Sequence, residues 1–355
     1  MRILYLAIDQ RVPGTTGGPV HVAQVATGLA ALGHEVHVAI TPGRETLPDS
    51  PVHWHFIRPP LGWRQLRWMR LWRVEALARE LRADVVIERY YNFGGEGVWA
   101  ATRTGALAVL EVNAPIIDHP GSLKRWIDRA LVFEPMRRWR EWQCRHTNLF
   151  VTPSTSILPQ WVEPHRVIRL EWGADTARFT PEARGDVPFQ RETGDTVVIF
   201  AGAFRPWHGA IHLVRAISRL RSRGRNDITA IFVGDGPELG RVRRAAAGVE
   251  GVVFVGRLSH GRMPACLAAA DIGVAPFDVE VHGPLQLDFY WSPLKVFEYM
   301  AAGLPVIVPN IKRLSTLCRD GREGVTYAAD DIDALANAIE ELADAPNRDE
   351  LGRAA

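Results

Sequence analysis

Twice along this chain, short apolar β-prone runs alternate with helical segments, and a polar, proline-bearing stretch separates the two series. That alternation restricts the fold to α/β architectures built on parallel sheets. Arg2 to Ile8 reads as a buried parallel strand. A glycine-rich loop follows, Gln10 to Pro19 (QRVPGTTGGP), then a helix over Val20 to Leu32 with apolar residues at Val22, Val25, Ala26, Leu29 and Leu32. Gly33 ends that helix and Glu35 to Ile40 is the next strand. Further strands are expected over 51–58, 84–89, 106–112, 149–153 and 167–171. The stretch from Gly173 to Asp195, with Pro181 and Pro188, reads as a linker. The pattern restarts with strands over 196–201, 228–233, 252–255, 272–276 and 304–308. The β–loop–α–β unit is that of a doubly wound sheet, which places ligands outside the carboxyl ends of its strands. Two domains are expected, at residues 1–175 and 190–355, a division that suits 355 residues.

Composition narrows the partners. The apolar fraction of 47% and charged fraction of 23% are those of a globular protein in water. A net charge of +2 lacks the excess that nucleic-acid binding needs, so nucleic acid is excluded as a partner. The charge is uneven: residues 1–171 hold 21 Lys/Arg against 16 Asp/Glu, and the remainder 21 against 24. Three cysteines, Cys144, Cys266 and Cys318, are odd in number and far apart, which fits neither a disulfide framework nor a metal-ligand spacing. No apolar run approaches the roughly 18–20 residues that span a bilayer. A cytoplasmic location is expected. Two basic, Trp-bearing stretches qualify it: 58–82 (Arg64, Arg67, Arg70, Arg73 with Trp63, Trp68, Trp72) and 122–146 (Lys124, Arg125, Arg129, Arg137, Arg138, Arg140 with Trp126, Trp139). Each is a candidate peripheral contact with the inner membrane face. For 58–82 the competing reading is a surface helix packed on the sheet, which the sequence favours because Arg73 interrupts the apolar sector formed by Leu66, Met69, Trp72, Leu77 and Leu81. For 122–146 it is a solvated helix face, again the favoured one.

The stretch Phe289 to Asn310 (FYWSPLKVFEYMAAGLPVIVPN) carries the most chemistry. Ser292 suits an N-cap, Pro293 the first helical position, and Gly303 the C′ position. The amides of Leu294 and Lys295 would then lie at a helix start, in a field that favours anions. Glu298 shares their face. An ordinary capped helix with a solvated Glu fits the same spacing. Arg205 and His208 follow a strand and precede a helix, where they are placed, with Lys295, to neutralise a diphosphate. Alternatively His208 is a plain loop residue and Arg205 a cap. In the first half, Gly17 and Gly18 would let the backbone approach a phosphate or sugar, or only make a tight turn. Their spacing is not G-x-G-x-x-G, which weakens a dinucleotide reading. Glu88, Arg89, Tyr90, Glu111 and Asn113 lie at strand ends, as site residues or loop caps. No acid cluster has metal spacing, so no metal is expected and protein cations would replace a divalent ion.

Seven segments, taken in order, resemble the family 4 glycosyltransferases, retaining enzymes of the GT-B fold. They are Thr15 to Val38, Leu110 to Pro115, Glu171 to Pro181, Phe200 to Gly209, Phe232 to Glu238, Phe254 to Phe277 and Ser292 to Ile307. The resemblance spans nearly the whole chain and implies two Rossmann-like doubly wound domains facing across a cleft. The second would bind the nucleotide-sugar and the first the acceptor. It implies that Glu298 contacts the nucleotide ribose, that the Leu294 and Lys295 amides hold the diphosphate, and that Gly18 approaches it. Gly17, Gly202, Gly234 and Pro293 join the donor-binding set. His208 falls where the family has a lysine, and Ala203 where it has an arginine, with Arg205 close by. Tyr290 replaces the first glutamate of the family's paired motif, and Asn113 the acceptor-side histidine. The chain stops at Ala355, before the terminal helix that in the family crosses back.

The resemblance therefore implies a retaining transfer of a sugar from a UDP- or GDP-hexose to an acceptor hydroxyl on a glycan, glycolipid or metabolite. Arg205, His208, Lys295 and Asn113 would be its catalytic residues, with no cofactor beyond the donor itself. Two alternatives remain open. One is a GT-B epimerase, which would need acids from among Glu88, Glu111 and Asp118. The other is a donor-binding subunit without catalysis, suggested by Tyr290 and Asn113.

Overall fold

The structure is a computed structural model. It describes residues 1–355 except 15–16, 44–46, 48–49, 59, 64–65, 67–68, 93, 119–122, 131–132, 287–288 and 312. Thr15, Thr16, Arg64, Arg67 and Trp68 of the sequence reading, and the side chain of Lys124, thus lie outside the described residues. The chain forms two compact units, Met1–Glu171 and Trp172–Ala355.

The first unit is a seven-stranded parallel sheet in the order β3-β2-β1-β4-β5-β6-β7. Its strands are β1 (Arg2–Val12), β2 (Glu35–Pro42), β3 (Val52–Phe56), β4 (Val85–Arg89), β5 (Leu107–Glu111), β6 (Leu149–Thr152) and β7 (Val167–Arg169). Its helices are α1 (Gly17–Ala31), α2 (Leu71–Leu81), α3 (Glu96–Thr104), α4 (Leu123–Ala130) and α5 (Pro135–His146). The two-residue period of β1 divides the core. Leu4, Leu6 and Ile8 pack with Val74 and Ala78 of α2 and Ala100 and Ala101 of α3. Tyr5 and Ala7 pack with Val22 and Ala26 of α1 on the other face. Two sequence expectations change. β1 runs on to Val12, and α1 begins at Gly17, inside the expected loop. Among the described residues of 58–82, α-helix begins at Leu71. There Val74 and Ala78 are buried, while Met69 and Trp72 of the expected apolar stripe are exposed.

The second unit is a six-stranded parallel sheet, order β10-β9-β8-β11-β12-β13. Its strands are β8 (Thr196–Ala201), β9 (Ile228–Val233), β10 (Val252–Gly256), β11 (Ile272–Val274), β12 (Val306–Pro309) and β13 (Gly324–Tyr327). Its helices are α6 (Ala210–Ser222), α7 (Leu239–Ala245), α8 (Met263–Ala268), α9 (Leu294–Ala301), α10 (Leu314–Leu317), α11 (Ile332–Asp344) and α12 (Arg348–Ala354). Phe200, Phe204 and Phe232 anchor its core with Leu213 and Ile217 of α6 and Leu335 and Ile339 of α11. The segment after Glu171 belongs here. Phe179 is buried, Pro181 lies against Gly303, and the Trp172 amide donates to Ser292 Oγ at 2.9 Å. α12 packs on the same unit, with Gly352 against the Gly303 carbonyl. In each sheet the strand order reverses beside the first strand, between β1 and β4 and between β8 and β11. Doubly wound sheets open a ligand crevice at that point, outside the carboxyl ends of the strands.

Candidate active site

In the second unit the chain leaves β8 at Gly202, whose φ is +144°. A side chain there would meet Lys295 Nζ at 3.0 Å and His208 Nδ1 at 3.8 Å, so glycine keeps this face open. Gly234, at the end of β9, has φ +131°, and a Cβ on it would overlap the Gly202 carbonyl. Its role in the structure is to let the loops after β8 and β9 touch.

Lys295 is the unusual residue here. It is 9% exposed, and its ammonium has no hydrogen-bond partner. Nζ instead lies 4.3 Å from the ring centre of Phe200 and 5.3 Å from that of Phe277. Burial lowers its pKa to about 7, against the opposing charge of Glu298. A buried cation without a partner, beside an open glycine face, is arranged to receive an anion. His208 does not add the second cation that the sequence suggested. Burial, then Lys295 and Arg205, push its pKa down to about 2. The neutral ring donates Nδ1–H to the Ala203 carbonyl and keeps Nε2 as an acceptor. Arg205 is exposed and charged, 5.9 Å over the Trp207 ring.

The start of α9 also differs from expectation. Ser292 is not its cap: its hydroxyl accepts from Trp172. Pro293 occupies the cap position at φ −80°, ψ 75°, an inverse γ-turn in which the Leu294 amide donates to the Ser292 carbonyl at 2.9 Å. Leu294 therefore has no free amide. Lys295 takes no backbone partner for its amide among the described residues. Glu298 is partly exposed, 3.6 Å from His260 Nε2. Tyr290 is buried, its ring 5.3 Å from that of Trp291. The helix ends as expected. Gly303 at φ +76° donates to the Met300 carbonyl, and Leu304 to that of Tyr299, a Schellman motif.

In the first unit the carboxyl ends of β1, β4 and β5 carry a polar network. Glu111 accepts from Tyr5 Oη at 2.5 Å and from Asn113 Nδ2 at 2.5 Å, and lies 2.8 Å from His21 Nε2. Burial opposes its ionisation, but His21, Arg89 and Tyr5 bring its pKa down to about 2. Arg89 pairs with Asp9, which also accepts from Gln10. Asp9 Oδ1, Asn113 Oδ1 and Arg89 Nε are buried without partners. Sequence reasoning found Arg89, Glu111 and Asn113 but missed Asp9 and His21. The signal was a histidine one turn into the helix that follows a glycine-rich loop. Gly18 packs on Gln10, where a Cβ would overlap the Gln10 side chain, and Gly17 is the first residue of α1.

Other candidates are structural. Glu88 is buried and accepts from the amides of Gly95 (2.5 Å), Gly97 (2.9 Å) and Val98 (3.1 Å), capping α3. Asp118 holds Arg140 through two bonds of 2.8 and 2.6 Å. A cavity of about 400 Å³ lies beside that pair, lined by Ile117, Arg125, Arg137 and Trp161 among others. None of the network residues above lines it.

The whole chain superposes on solved glycosyltransferases. HepE of Anabaena in complex with UDP-glucose matches with a TM-score of 0.69 at 16% identity, over 100% of this chain and 93% of that one. The protein therefore has the GT-B fold, two parallel α/β sheets in separate units. The family described as Glycosyltransferase Family 4 matches residues 15–178, and that described as Glycosyl transferases group 1 matches residues 195–345. The chain belongs to the family 4 glycosyltransferases. A GDP-mannose-dependent α-(1-6)-phosphatidylinositol monomannoside mannosyltransferase of Mycolicibacterium smegmatis is 31% identical over 50% of this chain, but over only 47% of its own length. A D-inositol 3-phosphate glycosyltransferase of Acidothermus cellulolyticus is 26% identical over 96% of this chain and 81% of its own.

Proposed function

We propose that the protein transfers a hexosyl group from a UDP- or GDP-sugar to an acceptor hydroxyl of a glycan, glycolipid or metabolite, with retention at the anomeric carbon. The observation that carries the reading is the buried, unpartnered ammonium of Lys295 beside the open face of Gly202. Lys295 Nζ, the Lys295 amide and the exposed guanidinium of Arg205 hold the diphosphate. His208, being neutral, offers Nε2 to a donor hydroxyl. Glu298 accepts from the ribose hydroxyls. As the bond between the anomeric carbon and the phosphate oxygen breaks, charge grows on the diphosphate, and these fixed groups stabilise it. The acceptor oxygen bonds to the anomeric carbon on the face the diphosphate leaves, and its proton passes to the departing phosphate oxygen. The acceptor is assigned to the first unit's network, with Glu111, His21, Asn113 and Arg89 as hydroxyl partners. No divalent ion takes part in donor binding.

Incubation with a panel of UDP-, GDP- and ADP-sugars, followed by release of the nucleoside diphosphate, tests the reading. Glu298→Ala is expected to raise the donor KM at least 10-fold. Undiminished turnover in that variant would remove the ribose role, and an absolute requirement for magnesium would contradict the charge scheme. Supporting observations come from the relatives: the mycobacterial one is named for GDP-mannose, and HepE is seen with UDP-glucose. The epimerase alternative is disfavoured. Glu88 caps α3, Asp118 is committed to Arg140, and Glu111 is held ionised by its partners, so all three carboxylates are already engaged.

A further inference from the structure

Three residues from separate segments of the second unit meet behind the loop that carries His208. His212 lies in the first turn of α6, Asp278 four residues past β11, and Asp330 three residues past β13. One ligand atom from each lies within 4.8 Å of the others. The sequence hides this group, because 66 and 52 residues separate its members. His212 and Asp278 are largely buried, with Nε2 and Oδ2 3.8 Å apart, too far for a hydrogen bond. Asp330 is exposed, and its backbone is held at φ +61°, uncommon for a residue other than glycine. The cluster thus has two nearly buried donors and a third open to water, through which an ion could enter.

We propose that His212, Asp278 and Asp330 form a binding site for one divalent transition-metal cation. One imidazole and two carboxylates suit a borderline ion such as Zn²⁺, Co²⁺ or Mn²⁺, rather than Mg²⁺, which prefers oxygen and keeps its water. The 3.8 Å between His212 Nε2 and Asp278 Oδ2 exceeds the roughly 3.3 Å between ligands at about 2.0–2.1 Å around a tetrahedral ion, so binding draws these two segments together. The ion would act structurally. The Asp278 amide donates to the Trp207 carbonyl at 3.1 Å, and the Pro276 carbonyl fills the space where Gly209 lacks a Cβ. An ion on Asp278 therefore ties the Trp207–Gly209 turn to α6 and to the loop after β13. This site lies outside the diphosphate-binding groups and is independent of the identity of the donor.

The test uses the full chain, stripped with chelator, and calorimetric titration with ZnCl₂, MnCl₂ and MgCl₂ alone. One saturable site is expected, tightest for Zn²⁺, weaker for Mn²⁺ and weakest for Mg²⁺, together with a rise in Tm on Zn²⁺ addition. Asp330→Asn, at an exposed position that should not impair folding, and His212→Gln should each weaken binding at least 10-fold. His37→Ala should leave it unchanged. This control removes a rival histidine group, in which His37 stacks on His53 and lies 3.0 Å from His55. Absence of saturable binding, equal affinity for Mg²⁺ and Zn²⁺, or binding lost in His37→Ala but kept in Asp330→Asn would overturn the proposal.

Discussion

Lys295 shows what a single buried charge does to an unliganded protein. Its folded pKa of about 7 lies below the ordinary lysine value of 10.5. Between those values the unfolded chain holds a proton that the folded chain lacks, so stability rises with pH across that window. Below about pH 7 both states are protonated, and the penalty is fully present, on the order of 5 kcal/mol. Lys295→Met, similar in shape and uncharged, is therefore expected to raise the unfolding free energy at pH 6.5 by roughly 2–4 kcal/mol. Urea denaturation should show that advantage shrinking by pH 9.5. The same variant should weaken UDP binding at least 100-fold. A diphosphate beside Nζ favours the protonated form, so UDP binding at pH 8 should take up a proton. Calorimetry in two buffers of different ionisation enthalpy reads this directly, and equal heats in both would count against contact between Lys295 and the phosphates. That Lys295 and Glu298 share one short helix was legible in the sequence, because their spacing is local. The charge of His208 was not, because it depends first on burial in the folded unit and then on Lys295, 87 residues away.

At the scale of elements, legibility followed burial. β8 and β9 appear with the bounds expected from sequence, since their apolar runs are buried almost throughout. The end of α9 was readable from Gly303, while its start was not: Ser292 is claimed by Trp172, a partner 120 residues away. β13, four residues of GVTY, gave too short a signal to be expected at all. Glu88 illustrates the converse. Its position at the end of β4 suggested chemistry, but it serves the helix that follows. Glu88→Gln keeps the size and removes the charge from three charge-assisted bonds. A loss of about 2–3 kcal/mol of stability is expected. Turnover per folded molecule, measured at a temperature where the variant is folded, should be unchanged. A large fall in kcat without a change in Tm would instead restore Glu88 to the chemistry.

Across the whole molecule, the net positive charge and most of the exposed apolar side chains fall in the same unit. Residues 1–171 carry the positive balance. Among the described residues, Leu61, Trp63, Trp72, Trp126 and Phe133 are large, mostly exposed hydrophobics of that unit, whereas the second unit contributes only Val253 and Val281. No helix among the described residues is long and apolar enough to cross a membrane. Tryptophans set among arginines suit a bilayer interface, where the ring enters the headgroup layer and each cation contributes about 1 kcal/mol against anionic lipid. In 58–82 the helix does pack on the sheet, through Val74 and Ala78 with Leu77 and Leu81, as the surface-helix reading expects, and Leu61, Trp63 and Trp72 stay outside that packing. The protein is therefore expected to co-sediment with vesicles rich in phosphatidylglycerol and not with phosphatidylcholine alone. Raising NaCl from 50 to 500 mM should release it, since screening acts on the charge component. The double variant Trp72→Ser, Trp126→Ser should bind at least 5-fold more weakly with its Tm unchanged, because neither ring is buried. Equal binding to both vesicle types, or none to either, would assign this surface to solvent and leave the acceptor to be sought among water-soluble glycans and metabolites.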